Sequence, residues 1–585
     1  MSHAGFLPWP AELAQRYRQQ GHWQGQSFPA FLHSLALAHG DKVAVSDGHR
    51  RWTYVQLERQ ALKAARWLRS QGLRQGDIAV LQQDNHVGFA ALLFGLWQLG
   101  AVPVMALPAH RHREISAFCA HTQARAYLGQ SVLQGADMRE MARRLRAEHP
   151  GMLIALSGQA EPFVALDPAL AEAHEDAQAA SARAAQGAEA WPRVQAGDLA
   201  LLQLSGGSTG VPKLIPRTAD DYLYSVRESA RICGLGPQTV ALGVLPAAHN
   251  FALSSPGLLG VLHAGGHMVM APSGDPGTAF ARIQAEGVNW CALVPSLVPV
   301  WLQAARDPAM AAQLETLAVV QVGGAKLDAD MAARLEAGLG VSLQQVFGMA
   351  EGLVCYTRWD DSPALRLGTQ GRPISPDDEV LVVDERDRPV PDGETGHLLT
   401  RGPYTLRAYY AAPGLQAQCF TADGFYRTGD LVRRLPSGHL IVEGRHKDVI
   451  NRGGEKIGAA EIEGLLMAHP AVHEAALVGM PDAMLGERSW AVVVPRDPAL
   501  RPPELLRHLR GQGIATFKVP DRVVMTAALP HTAVGKVDKV ALRQALAAGA
   551  DPSLPAKAQA AARAHFAAEP EPASPGPRSE ALSPP

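Results

Sequence analysis

Cysteine is scarce in this chain. Five residues, Cys119, Cys233, Cys291, Cys355 and Cys419, are scattered over 585 positions with no CxxC pair. That pattern argues against a disulfide framework or a cysteine zinc site and points to a reducing cytoplasm. An excess of charge is also missing: 54 Lys and Arg stand against 56 Asp and Glu, a formal net charge of -2. A chain so balanced has no broad attraction for nucleic acid or an anionic membrane, and its partners are chosen by local sites. No uninterrupted apolar run reaches the ~20 residues that span a bilayer, and no basic segment followed by an apolar core opens the chain. Neither membrane insertion nor export is expected, and the expected location is cytoplasmic. No repeat recurs at solenoid spacing.

What is present is globular. Hydrophobic residues make up 47% of a chain longer than one core usually serves, so two or more domains are expected. Residues 9–35 suit a helix followed by a docked arm. Lys42–Val45 and Trp52–Tyr54 read as strands, Val55–Ser70 as an amphipathic helix, Asp77–Leu81 as a buried strand, Val87–Leu99 as an apolar helix and Val102–Ala106 as a strand. Alternation of this kind predicts a parallel or mixed α/β sheet. Residues 167–190, rich in Ala, Glu and Gln, read as a surface helix or a loose insertion. A second α/β block spans Asp198 to about Tyr356, with strands at Val240–Leu245, Met268–Met270, Ala292–Val294, Ala318–Val322 and Leu343–Phe347. From Leu365 to Val442 short β-prone pieces between turns predict a small β-barrel or β-rich subdomain. After Gly444–Asp448, a hinge candidate, comes a compact α/β segment, and the last 40 or so residues, dominated by Ala, Pro, Glu and Ser, are expected to form a disordered tail.

One run organises the rest: Ser205-Gly206-Gly207-Ser208-Thr209-Gly210-Val211-Pro212-Lys213. Glycines and hydroxyl residues at this density let backbone N–H groups and side-chain oxygens converge on an anion, as in a phosphate cradle. It is not a Walker A loop, because Val211 and Pro212 separate Lys213 from the last glycine and a leucine follows. Alone, such a run is more often a flexible linker. Further specialised stretches follow: Val346-Phe347-Gly348-Met349-Ala350-Glu351-Gly352, Tyr426-Arg427-Thr428-Gly429-Asp430, the pair Arg445 and Lys447, Arg452-Gly453-Gly454-Glu455-Lys456, and Gly535-Lys536-Val537-Asp538-Lys539. Singly, each also reads as a solvated turn.

In this order the stretches resemble the adenylate-forming superfamily of acyl- and aryl-CoA synthetases, luciferases and peptide-synthetase adenylation domains, over roughly Phe6 to Ala545. Gln203–Asp221, Pro246–Gly266 and Gln344–Arg358 are similar to the stand-alone 2,3-dihydroxybenzoate-AMP ligases of catechol, enterobactin-like siderophore assembly. The resemblance implies an α/β fold: a large N-terminal domain of two α/β subdomains plus a β-barrel over 1–443, a hinge at 444–448, a small mobile α+β C-terminal domain over 449–545, and a tail over 546–585. It implies ATP and Mg²⁺, with 2,3-dihydroxybenzoate converted to its acyl adenylate and then passed to the phosphopantetheine thiol of an aryl carrier protein. No carrier segment is visible after Lys536, so the carrier acts in trans. A salicylate-AMP ligase and an aryl-CoA ligase are the alternatives.

The site residues follow from the same resemblance. The loop with Ser205, Gly206, Gly207, Ser208, Thr209 and Lys213 holds the β- and γ-phosphates, and Glu351 holds Mg²⁺. Gly324, Ala325 and Val346 line the adenine slot, Asp430 and Arg445 meet the ribose, and Lys447 is the pivot. Lys536 bridges carboxylate and α-phosphate, and the turn of Gly453, Gly454 and Lys456 serves thioester formation. His249 is a gate or packing residue near the carboxylate, with a satisfied core histidine as the other reading. Asn250, Phe251, Ser255, Ala350 and Val354 form the acyl pocket. Asn250 stands where amino-acid-activating relatives carry an Asp for the substrate ammonium. A neutral amide disfavours amino acids and can hydrogen-bond an ortho hydroxyl.

Overall fold

The computed structural model describes residues 3–171, 190–205, 213–327, 329–445, 449–530, 537 and 539–549. The tail expected from 546, apart from its first four residues, and residues 172–189 of the Ala-rich insertion lie outside the described residues.

Two large sheets form the N-terminal body. In the nine-stranded sheet the strands run in the order Arg372–Pro373, Val354–Tyr356, Ser342–Gly348, Val319–Val322, Trp290–Leu293, Val240–Gly243, His267–Met270, Val43–Ser46, Arg51–Thr53. Its six central strands are parallel and only the edges are antiparallel. The seven-stranded sheet places Leu199–Leu204 parallel to Val102–Ala106 and closes one edge with the antiparallel strand Leu214–Thr218. Both sheets follow from the strand–helix alternation, since parallel neighbours need helical crossovers.

The core is built on the helix Val87–Leu99, in which every residue except Gln98 is buried. A helix apolar on all sides has no solvent face to offer, so it is enclosed. Tyr54–Ser70 packs on it, started by a capping box in which Thr53 and Gln56 satisfy each other's backbone N–H groups. The crossing is close at Gly95, where a Cβ would lie 2.8 Å from the Cβ of Ala64. Glycine is required there by contact with the neighbouring helix rather than by its dihedrals.

The β-prone region after Leu365 forms a four-stranded antiparallel sheet of Glu379–Val383, Thr395–Arg401, Tyr426–Arg434 and Leu440–Arg445. The C-terminal unit is a five-stranded sheet around the hairpin Val472–Asp482 and Gly486–Pro495, with the helices Ala459–Met467 and Pro502–Gly511. Among the described residues no helix is long and apolar enough to cross a membrane.

Two buried histidines give the body an acid sensitivity. Burial pushes His110 and His267 down to about 4, and His110 Nδ1 accepts the backbone N–H of Leu107 at 3.0 Å. Above pH 6.5 both are neutral, folded or unfolded. Between pH 6.5 and 4 only the unfolded chain takes up the protons, so stability is lost as pH falls through this window. Urea unfolding at pH 5 is expected to show roughly 2 kcal/mol less stability per histidine than at pH 7. In His267→Gln the loss between pH 7 and pH 5 is expected to shrink by about that 2 kcal/mol, and a loss equal to that of the unmodified protein would contradict this.

Candidate active site

Parallel strands of both sheets end at one cavity of about 110 Å³. Leu107 follows Val102–Ala106, Ser205 follows Leu199–Leu204, Gly324 lies just beyond Val319–Val322, and Val346 and Gly348 belong to the end of Ser342–Gly348. Ligands in open α/β sheets bind beyond the carboxyl ends of the strands, because the loops there are free to carry polar groups. Of the residues expected from the sequence, His249, Asn250, Phe251, Ser255, Ala350, Glu351 and Val354 line this cavity together with Ser205, Gly324 and Val346. Gly454 and Lys456 of the C-terminal unit also line it.

Asn250 has a fixed orientation. Its Oδ1 accepts the Tyr222 hydroxyl at 2.9 Å and the Ser254 hydroxyl at 3.3 Å, and Gln203 Nε2 donates to Tyr222 at 3.1 Å. The single Ser254 proton is shared with the Asn250 backbone carbonyl at 3.0 Å, so the Tyr222 hydroxyl is the main donor to Oδ1, and the amide leaves its N–H groups for the cavity it lines. Phe251 packs on Gly323, where a Cβ would come within 3.0 Å of its ring. His249 Nδ1 accepts the backbone N–H of Phe251 at 3.3 Å, capping the short helix Asn250–Ser254. Burial, aided by the Lys456 charge, pushes His249 down to about 4. It is therefore a neutral imidazole near pH 7, suited to packing and hydrogen bonding. Ala350 is held from outside the cavity, its carbonyl accepting Arg217 Nη1 at 2.8 Å, while Arg217 Nε pairs with the buried Asp221 at 2.9 Å.

Glu351, 6% exposed, accepts the Tyr409 hydroxyl at 2.9 Å, and Tyr426 lies 2.9 Å behind it. Lys213 sits over the Tyr409 ring at 4.6 Å. At the mouth of the glycine-rich loop the Ser205 N–H donates to the Lys213 carbonyl at 2.9 Å, and the Lys213 N–H donates to Ser205 Oγ at 3.2 Å. The two ends of the loop are thus clamped beside Glu351. Among the described residues no group of three or more His, Cys, Asp and Glu side chains forms a cage for a metal. A single hard carboxylate beside a glycine-rich loop would suit Mg²⁺ on a bound triphosphate, since that ion takes most of its ligands from phosphates and water.

A second cleft, of about 510 Å³, shares Gly324, Val346, Gly348 and Lys456 with the first and adds Ala325 and Asp430. Asp430 is 3% exposed and pairs across the sheet with the backbone of Arg445. The Arg445 side chain, Gly206, Gly207, Ser208, Thr209, Lys447 and Lys536 lie outside the described residues.

The C-terminal unit reaches the cavity through its glycine turn. Gly453 and Gly454 have φ of +60° and +93°, and a Cβ on Gly454 would lie 3.3 Å from Val294 Cγ1. A side chain there would be strained and pressed into the opposite wall. His110, Phe517 and Lys518 also line the cavity and were not read from the sequence, and Glu455, named there only as a member of the turn, lines it too. Burial pushes Glu455 up to about 7, against the Lys518 charge. A glutamate beside two glycines gave some signal; for the other three nothing in the local sequence did.

Comparison with known proteins agrees with this geometry. Residues 32–410 match the model for AMP-binding enzymes, and residues 461–536 match the AMP-binding enzyme C-terminal domain. The chain is 49% identical to the 2,3-dihydroxybenzoate-AMP ligase of Bacillus subtilis, over 93% of this chain and 98% of that protein. It is 45% identical to a salicylyl-CoA synthase / salicylate adenylyltransferase of a Streptomyces species, over 94% and 99%. The apo structure of MbtA from Mycobacterium smegmatis, 44% identical, superposes with a TM-score of 0.70 and covers 92% of this chain and 99% of that one. With both halves of the chain matched in order, and with cavity, loop clamp and C-terminal turn gathered at one place, this protein belongs to the family of AMP-binding, adenylate-forming enzymes.

Proposed function

We propose that the protein activates 2,3-dihydroxybenzoate with ATP, releasing pyrophosphate, and passes the aroyl group to the phosphopantetheine thiol of an aryl carrier protein supplied in trans. The observation that carries this reading is the hydrogen bond from the Tyr222 hydroxyl to Asn250 Oδ1, which leaves the amide N–H groups to donate into a cavity that Asn250 lines with Ser255 and Val354. An amide donor suits a hydroxyl or carboxylate oxygen, whereas an amino acid's ammonium needs a counter-charge. The curated 2,3-dihydroxybenzoate-AMP ligase similar to this chain supports the same substrate. The catechol oxygens of such an acid chelate ferric iron, which places the product in siderophore assembly. The five cysteines are free and buried, in keeping with a reducing cytoplasm.

In the first half-reaction a carboxylate attacks the α-phosphorus, anion against anion, so charge must be neutralised and both partners aligned. Asn250 and Ser255 orient the ring, with Phe251, Ala350 and Val354 as its walls. Ser205 to Lys213, including Gly206, Gly207, Ser208 and Thr209, holds the triphosphate, and Asp430 and Arg445 hold the ribose. Gly324, Ala325 and Val346 flank the adenine. Mg²⁺, held by Glu351, supplies charge neutralisation on the triphosphate when bound. Lys536 carries the shifting charge on the reacting oxygens. In the second half-reaction the C-terminal unit swings about Lys447. The turn of Gly453, Gly454 and Lys456 then flanks the thiol, which attacks the carbonyl carbon as AMP leaves.

ATP–pyrophosphate exchange across benzoate, salicylate, 2,3-dihydroxybenzoate and several amino acids tests this reading. The highest kcat/KM is expected with 2,3-dihydroxybenzoate and background exchange with amino acids. Preference for an amino acid or for unsubstituted benzoate would overturn it. Ser255→Cys is expected to shift the salicylate to 2,3-dihydroxybenzoate ratio of kcat/KM about tenfold toward salicylate, since it removes the hydroxyl facing position 3. An unchanged ratio would remove Ser255 from that role.

A further inference from the structure

The two units meet at a buried ion pair distinct from the residues assigned above. Lys518, whose side chain is 4% exposed, ends the short turn Thr516–Lys518 of the C-terminal unit and lines the cavity together with Phe517. Its Nζ lies 3.1 Å from Glu114 Oε1 and 2.9 Å from Glu461 Oε2, both carboxylates being 1% exposed. Glu114 stands in the first turn of the N-terminal helix His112–Thr122. Its Oε1 also accepts the backbone N–H of Ala515 at 3.1 Å, and its Oε2 the N–H of Arg111 at 3.1 Å. Alongside, the Arg113 N–H donates to the Gly513 carbonyl at 3.4 Å, and Arg113 Nε lies 3.7 Å from Glu461. Burial raises the Glu114 carboxyl, but Lys518, His110 and backbone N–H groups outweigh it and hold Glu114 below the ordinary range.

Glu461 and Lys518 belong to the same unit and move together; Glu114 does not move with them. The Glu114–Lys518 pair therefore exists in one orientation of the C-terminal unit and is broken in any other. An interaction made in one of two states biases the equilibrium between them by its own free energy. Here it is buried and backed by backbone donors, so removing either partner in this orientation leaves the other's charge buried and uncompensated. We propose that Glu114 and Lys518 form an orientation-specific bolt, with Glu114 as a positioning residue that holds the Gly453–Lys456 turn against the cavity for acyl transfer. This rests on the two-step reading above, in which that turn serves the thiol step.

Glu114→Gln keeps the side-chain volume and removes the charge, and Lys518→Gln approaches the same pair from the other side. In otherwise full-length protein, cysteines placed at the exposed positions Val132 and Met467 take spin labels selectively, because the five native cysteines are buried. The fraction of molecules at the label distance of the orientation described here is expected to fall at least tenfold in each variant. Single-turnover transfer of preformed 2,3-dihydroxybenzoyl adenylate to a pantetheine-loaded aryl carrier protein should slow at least tenfold in rate at saturating carrier in both variants, with pyrophosphate exchange by Glu114→Gln, whose site lies outside the cavity lining, within twofold of the unmodified enzyme. An unchanged distance distribution in both variants, or equal loss of exchange and transfer in Glu114→Gln, would overturn the bolt. Were the unmodified enzyme inactive with aryl acids, the functional reading would fail while the label distances still decided whether the bolt exists.

Discussion

Lys536→Ala is expected to lower ATP–pyrophosphate exchange with 2,3-dihydroxybenzoate by two to three orders of magnitude, the usual cost of losing one donor aimed at developing charge. The reaction joins two anions, and the charge that moves onto the bridging oxygens is the term an ammonium group stabilises. Substrate binding contributes to ground and transition state alike, so the loss should fall on kcat more than on KM. Transfer from preformed adenylate should be nearly spared, because the thiol step uses the Gly453–Lys456 turn at the cavity instead. Exchange within about fivefold of the unmodified enzyme, far short of that loss, would remove Lys536 from the reaction.

Asn250→Asp is expected to lower kcat/KM for 2,3-dihydroxybenzoate by about a thousandfold, in the range seen when polar groups of a site lose or repel their substrate partner. Tyr222 and Ser254 donate to Asn250 Oδ1 and would donate equally well to a carboxylate. The side chain would thus keep its place while its N–H donors became a negative oxygen facing an anionic acid. A geometry preserved with a negative charge added isolates the electrostatic role of the amide. A loss under tenfold would show that Asn250 does not face the substrate.

Much of this site was legible because its residues sit in local patterns. The glycine-rich loop follows a strand, Glu351 follows another, and Asn250 and Ser255 lie within one short segment. The alternation of strand and helix was equally plain, and the parallel sheets follow from it. Contacts between distant positions were not legible. Lys518 meets Glu114 across 404 residues, and neither stands out among the charged residues around it. Tyr222 reads as one aromatic on an amphipathic helix, yet its hydroxyl fixes which end of Asn250 faces the cavity. The burial of polar residues inside the sheets was not legible either: Gln344 and Gln345 lie in the strand read over Leu343–Phe347 and are buried. Gln345 repays its burial by donating to the carbonyls of Arg366 and Leu367.

The central claim is that the cavity between the two units joins an aromatic acid to AMP. Its most direct measurement is a single-turnover reaction of purified enzyme with Mg²⁺, 2,3-dihydroxybenzoate and ATP labelled at the α-phosphorus, quenched in acid and resolved for aroyl adenylate. The account expects labelled 2,3-dihydroxybenzoyl adenylate to form in amounts approaching one per active site, with pyrophosphate released in step. Label remaining in ATP, with no adenylate of this acid or of salicylate, would contradict it.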